Sequence, residues 1–217
     1  MIVELQSPGD DVRVEIRVDG AVVDMAPSAL DAIPLVQRTL DEAVMHHQTQ
    51  VAVIHGGVVA HGGRVILLPG PTGSGKSTLV AELVRQGAIY FSDEYALIDA
   101  AGRVHPYPRA LLLRDEPGLG RAVLATELGG SVACEPAQLG LVLGLVYAAD
   151  AELSLSALSQ GDGVLLLLRN TPQALADQPW ILASLEQAVA RAACYVGHRG
   201  EASAAAAAIL RLATSGA

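Results

Sequence analysis

Gly70-Pro71-Thr72-Gly73-Ser74-Gly75-Lys76-Ser77-Thr78 is the stretch on which the reading of this 217-residue chain turns. An apolar run, Val65–Leu68, leads into it. A helical pattern over 76–86 follows, with Leu79, Leu83 and Val84 on one face and Gly87 where a left-handed C-cap belongs. Strand, glycine loop and helix in that order match the pattern GxxxxGK[ST] in its required context. Glycines at 73 and 75 let the backbone curl so that successive N–H groups point inward. The start of the helix adds its partial positive charge. Lys76 supplies a full charge, Ser77 a hydroxyl for Mg²⁺, and Thr78 sits close behind. Residues 70–78 are therefore expected to cradle the phosphates of a nucleoside triphosphate, ATP with Mg²⁺. The loop does not read the base, so ATP and GTP stay open.

Outward from the loop, the chain reads as mixed α/β. Upstream, Ala52–Ile54 reads as a short strand ending at His55-Gly56, and 58–68 as a hairpin turning at His61-Gly62-Gly63. Further upstream, Ile2–Leu5 and the alternating Val12–Val18 read as strands. Asp19-Gly20 makes a two-residue turn into 21–25, and a helix is expected over about 29–47 behind Ser28. Downstream, Ala88–Phe91 reads as a buried strand. Ala96–Ile98 and Val104 bracket a turn at 99–103, Leu111–Leu113 is a further strand, and Leu139–Ala148 a central one. The last seventy residues read as mostly helical, over 152–159, 162–169, 173–193 and 201–213, with a short strand at Cys194–Val196. The run Ala204–Ala208 reads as helix with a small packing face. The expected organisation is a single domain over 1–217: a small lead-in over 1–50, a nucleotide-binding core over 51–150, and a mostly helical part over 151–217.

The loop specifies phosphate but not chemistry, which its neighbours must decide. Ser92-Asp93-Glu94 follows the strand Ala88–Phe91 and should lie at the sheet edge that carries the loop. One carboxylate can serve Mg²⁺ and another can take a proton from an attacking hydroxyl. His55, at a strand end, can orient a carboxylate or touch a phosphate. Asp150, ending the apolar run, is the rival metal-side carboxylate for a kinase of another lineage. Arg109 and Arg114 are candidates for holding a γ-phosphate or an acidic substrate. His46-His47 has no third ligand at metal spacing and reads as a solvated helix end; Trp180 reads as a packing residue.

Residues 51–115 resemble the catalytic core of HPr kinase/phosphorylase and its short relatives. The family pattern is a His-Gly at a strand end, a hairpin, a GxxGxGKS loop, a helix and an acidic pair. Here these are His55-Gly56, 58–68, 70–77, 76–86 and Asp93-Glu94, at matching spacings. The segment His105-Pro106-Tyr107-Pro108-Arg109 and the helical tail are similar to short HPr-kinase-like proteins found with peptide-modifying genes, lasso-peptide kinases among them. The resemblance implies a P-loop nucleotide-binding fold of the HPr kinase/PEP carboxykinase type, with a mixed sheet and flanking helices. It implies ATP-dependent transfer to a serine-type hydroxyl of a peptide, protein or small molecule. By position Asp93 would be the general base, with Lys76 and His55 alongside, His55 beside Asp93; Ser77, Asp93 and Glu94 would serve the metal. The sequence departs from the family in having Glu94 where a second Asp is usual, and in lacking the downstream glycine-rich signature and the larger enzymes' N-terminal domain. A nucleotide-binding regulatory or scaffold protein without transfer is the alternative.

Composition narrows the partners. The chain is 51% hydrophobic and 17% charged, with 14 Lys+Arg against 23 Asp+Glu and a net charge of −9. That is the wrong balance for a nucleic-acid binder, and 3% aromatics leave no base-stacking platform. Two cysteines, Cys134 and Cys194, without CxxC spacing suit a reducing cytoplasm. The N-terminus lacks signal-peptide character, and the longest apolar stretch, Leu139–Ala149, is well short of the ~20 residues a spanning helix needs. No membrane partner and a cytoplasmic location are expected, with homo-oligomerisation left open.

Overall fold

The computed structural model describes residues 3–6, 14–28, 32, 35–36, 39, 50–113, 121–172 and 179–215. The chain, which reads as one domain over 1–217, divides into two compact units, Met1–Gln48 and Thr49–Ala217.

In the first unit, β1 (Val3–Gln6), β2 (Val14–Val18) and β3 (Ala21–Ala26) form an antiparallel sheet in that order. Asp19 and Gly20 make the hairpin turn with φ of 49° and 82°, so the two-residue turn read from the sequence is present. Val14, Ala26 and Ala32, with Leu35 against them, make a small core. Most of the helix expected over 29–47 lies outside the described residues; its described positions, Ala32, Leu35, Val36 and Thr39, are helical.

The second unit is a mixed sheet flanked by helices. In chain order it contains β4 (Val51–His61), β5 (Arg64–Pro69), α1 (Lys76–Arg85), β6 (Ile89–Ser92), β7 (Tyr95–Asp99), β8 (Arg103–His105), β9 (Leu111–Leu113) and β10 (Arg121–Val123). Then come β11 (Ala137–Tyr147), β12 (Ser154–Ala157), α2 (Gln160–Arg169), α3 (Pro179–Val189), β13 (Ala193–Arg199) and α4 (Ala202–Ser215). The main sheet runs β12-β13-β11-β5-β4-β7-β8, with β6 also on β4; β9 and β10 pair separately. β5, β11 and β13 are parallel to one another, and the other pairings are antiparallel. The start of β11 also pairs with β8, so the sheet curls back on itself.

Strand β5 shows why the layers form. Ile66 and Leu68 point into a cluster with Leu79, Val80 and Leu83 of α1 and Ala206 and Ile209 of α4. Val65 and Leu67 point the other way, among Leu167 of α2 and Ile181 and Leu185 of α3. A strand buried on both faces must be apolar at every position, which is how 65–68 reads. The alanine-rich segment forms α4, and Ala202, Ala205, Ala206 and Ala213 bury its small face. No helix among the described residues is long and apolar enough to cross a membrane.

Several expected elements differ. The strand break at His55-Gly56 does not occur: β4 runs unbroken from Val51 to His61, and the turn is at Gly62-Gly63. Gly56 and Gly57 answer to packing instead: a Cβ on Gly56 would come within 2.9 Å of Leu68 O on β5, and one on Gly57 within 2.5 Å of Val80 Cγ2 on α1. The helix expected over 152–159 is replaced by edge strand β12. Leu153 and Leu155 alternate with Ser154 and Ser156, and that period of two pairs with β13, a strand nearly forty residues downstream. Of the helix expected over 173–193, the described residues form α3 only as far as Val189; 190–192 are not helical and Ala193 already begins β13.

Candidate functional site

Strand directions bring the singled-out residues to one edge. Parallel β5, β11 and β13 end together, and β4, antiparallel to β5 with Gly56 opposite Pro69, places His55 there too. The β6–β7 turn carries Asp93 and Glu94 to the same edge, and a backbone bond from Gly56 N–H to Glu94 O at 3.0 Å ties that turn to β4. Within the turn, Ser92 Oγ accepts from the N–H groups of Glu94 and Tyr95. The resulting cleft, about 270 Å³, is lined by Thr72, Gly73, Gly75, Lys76, Ser77 and Thr78 from the loop and first helical turn. His55, Asp93, Glu94 and Leu112 close its other side.

Backbone geometry shapes the loop. Gly73 and Gly75 have φ of 83° and 79°, where a side chain would be strained. Gly75 is the N-cap of α1, no side chain caps it, and no acidic residue occupies the first turn. The positive end of α1 therefore faces the cleft without a competing carboxylate of its own. Lys76 Nζ donates to Pro71 O at 2.7 Å, bridging the loop. Burial lowers the Lys76 pKa, while the charges of Glu94 and Asp93 work against that drop.

Asp93 is the most constrained acid in the cleft, 4% exposed. Burial raises its pKa, and the neighbouring Glu94 charge adds to the rise. Hydrogen bonds from Ser77, from Tyr90 Oη at 3.2 Å and from the Leu112 N–H oppose it, without cancelling the rise. Tyr90 Oη also reaches Arg109 O at 2.9 Å, and burial and Asp93 push the Tyr90 phenol well above its usual pKa. Glu94 is partly exposed and pairs with His55, Nε2 to Oε1 3.3 Å. The resemblance put His55 beside Asp93; its carboxylate partner is instead Glu94. The Tyr95 ring lies 6.0 Å from the His55 ring, and His55 N–H donates to Asn170 O at 2.7 Å.

The structure thus gathers Lys76, Ser77, Thr78, Asp93, Glu94 and His55 around one cleft with loop residues Thr72, Gly73 and Gly75; Gly70, Pro71 and Ser74 complete the loop outside its lining. Asp150 is not brought in: it sits in an exposed turn after β11 with φ of 59°. Arg109 is half-buried and does not line the cleft, though its carbonyl steadies Tyr90. Arg114 lies outside the described residues.

Among the described residues, no cluster of three or more His, Cys, Asp or Glu side chains could hold a metal alone. Mg²⁺ at a triphosphate asks for less, one or two protein oxygens beside phosphate and water. Ser77 and Asp93, already hydrogen-bonded to each other, fit that need, with Glu94 adjacent.

Sequence reasoning missed Tyr90, Leu112 and Arg199. Tyr90 had a signal, since a buried phenol needs a partner. Arg199 ends β13 between Gly197-His198 and Gly200, a cation leaving an apolar strand at the edge that carries the loop. Leu112 acts through its N–H and had none. No protein-family model matches the sequence, and no curated protein matches it.

Proposed function

We propose that this protein is an HPr-kinase-like P-loop phosphotransferase that moves the γ-phosphate of ATP to a serine-type hydroxyl. The observation that carries the reading is the buried Asp93, held by Ser77, Tyr90 and Leu112 across a cleft from Lys76 and the uncapped start of α1. The triphosphate lies against the loop N–H groups and Lys76. The acceptor oxygen attacks the γ-phosphorus while its proton passes to an Asp93 carboxylate oxygen. The bond from phosphorus to the β,γ-bridging oxygen breaks, and ADP leaves. A carboxyl group whose pKa is raised by burial suits a base working near neutral pH. Ser77, Asp93 and Glu94 would hold Mg²⁺, which when bound neutralises charge on the β- and γ-phosphate oxygens. His55 steadies Glu94, and positioning supplies most of the rate. The acceptor is a peptide, protein or small-molecule hydroxyl.

The test compares wild type and Asp93→Asn in calorimetric titration with ATP and MgCl₂ and in loss of γ-phosphate from labelled ATP. Retained binding with turnover lost in Asp93→Asn is the expected result. No uptake at millimolar ATP by wild type, or equal turnover in the two proteins, overturns it.

A further inference from the structure

Behind the glycine loop, on the side away from the cleft, lies a charge that the proposed reaction does not use. Arg199, the last residue of β13, is 5% exposed. Its Nη2 donates to Gly75 O at 3.1 Å and lies 3.5 Å from Ser74 O, and its Nη1 donates to Gly200 O at 2.9 Å. The guanidinium carbon sits 5.3 Å from the centre of the Tyr147 ring, and Tyr147 in turn donates to Glu201 at 2.8 Å. The space beneath the loop, about 10 Å³, is walled mainly by Leu68, Leu79, Leu143 and Leu145. A buried cation in such surroundings is costly unless its donors are well used. Among the described residues its direct hydrogen bonds all go to backbone carbonyls, two of them on the loop. A Cβ on Gly75 would collide with the guanidinium, so the two are fitted to each other.

We infer that Arg199 is a positioning residue that orients the glycine loop for anion binding. In a trans peptide the N–H points opposite the C=O. Gly75 O also accepts the first helical bond of α1, from the Leu79 N–H at 3.1 Å. Arg199 is the second donor on that carbonyl and fixes the peptide with the Lys76 N–H toward the cleft, while the longer contact to Ser74 O biases the Gly75 N–H the same way. Among the described residues no side-chain carboxylate bonds the guanidinium directly; the Glu201 charge acts on it through space, and what that leaves uncompensated adds to the field an anion meets above the loop. The role rests on the triphosphate reading above. It extends that reading by assigning loop order to a strand that follows the loop by more than a hundred residues.

The test is calorimetry with ATP and MgCl₂ on wild type, Arg199→Met and Arg199→Lys, with amide hydrogen exchange across 70–78 without nucleotide. Arg199→Met, shown folded by circular dichroism, should bind at least tenfold more weakly and exchange faster at Gly75 and Lys76, with α2 and α3 unchanged. Arg199→Lys keeps the charge and one donor and should bind about threefold more weakly. A folded Arg199→Met within twofold of wild type overturns the role. If Arg199→Met does not fold, Arg199→Lys decides on the same twofold limit. Wild type that takes up no triphosphate sinks the kinase reading and this role together; wild type that binds beside an unchanged, folded Arg199→Met sinks this role alone.

Discussion

Strand β7 has an aspartate just before one end and another at its other end, and the two are built in opposite ways. Asp99, at the β7–β8 turn, is saturated. Its carboxylate accepts from the N–H groups of Ala101 and Arg103 at 2.9 Å each, from Arg103 Nε at 2.9 Å and from His105 at 3.0 Å. Burial pushes its pKa up, but those bonds outweigh it and bring it down to about 2. Asp93, beside the opposite end, is more deeply buried, sits next to another acid and keeps a raised pKa despite three donors. One turn has satisfied its charge for the sake of the hairpin. The other holds a carboxylate with proton affinity to spare, facing Lys76 and the loop. Local dissatisfaction at one end of a strand, set against full satisfaction at the other, marks the end where chemistry is expected.

The comparison can be broken most sharply at Asp93. Asp93→Asn should lower γ-phosphate turnover roughly 10²–10⁴-fold, the usual span for a positioned proton acceptor. Asp99→Asn should leave turnover within twofold in the same assay. Next in size is Lys76→Met, which removes a charge-assisted contact. It should weaken ATP·Mg²⁺ binding roughly 10–100-fold in titration calorimetry, whereas Arg103→Met, beside Asp99, should leave binding alone.

Stability sharpens the contrast through its sign. Asp93 has a folded pKa above the unfolded value of about 3.9. Its contribution therefore favours the folded state at low pH and is lost as pH rises from about 4 through its raised value. Asp93→Asn should accordingly raise the Tm at pH 7, each kcal/mol gained being worth about 2–4 °C. Asp99 runs the other way: its stabilisation is present above about pH 4 and is lost as pH falls through about 2. Arg103 and His105, its partners, are 50% and 34% exposed, and screening holds the gain to about 1 kcal/mol. Asp99→Asn should lower the Tm at pH 7 by a similar few degrees, and the loss should vanish near pH 2. Parallel melting curves for the two variants across pH 2–7 would dissolve the distinction.

Much of this edge was legible in the sequence because its signals are local. The run Val65–Leu68, the glycines at 73 and 75, Lys76-Ser77 and the stripe Leu79, Leu83, Val84 lie within about twenty residues, and each fixes its neighbour's conformation. Asp93-Glu94 was placed by a strand end, and His55 by a strand end and the family resemblance, although β4 in fact runs on through His55 to His61. Signals failed where pairing is non-local. The strand at Ser154–Ala157 draws its pattern from β13, and the unbroken β4 owes Gly57 to α1 packing over it. The partner of His55 depends on which side chain of an adjacent acidic pair leans toward it, and sequence carries no sign of that. Arg199 is the extreme case, reaching Gly75 across a gap of 124 positions.

The strand order β12-β13-β11 has a consequence for how the chain is made. β13 slides between two strands synthesised before it, so until Arg199 has left the ribosome the apolar β11 presents a bare edge and β12 has nothing to pair with. Nascent chains truncated before β13 should be sticky, protease-sensitive and dependent on chaperones, and the domain should be a slow folder that closes its sheet late.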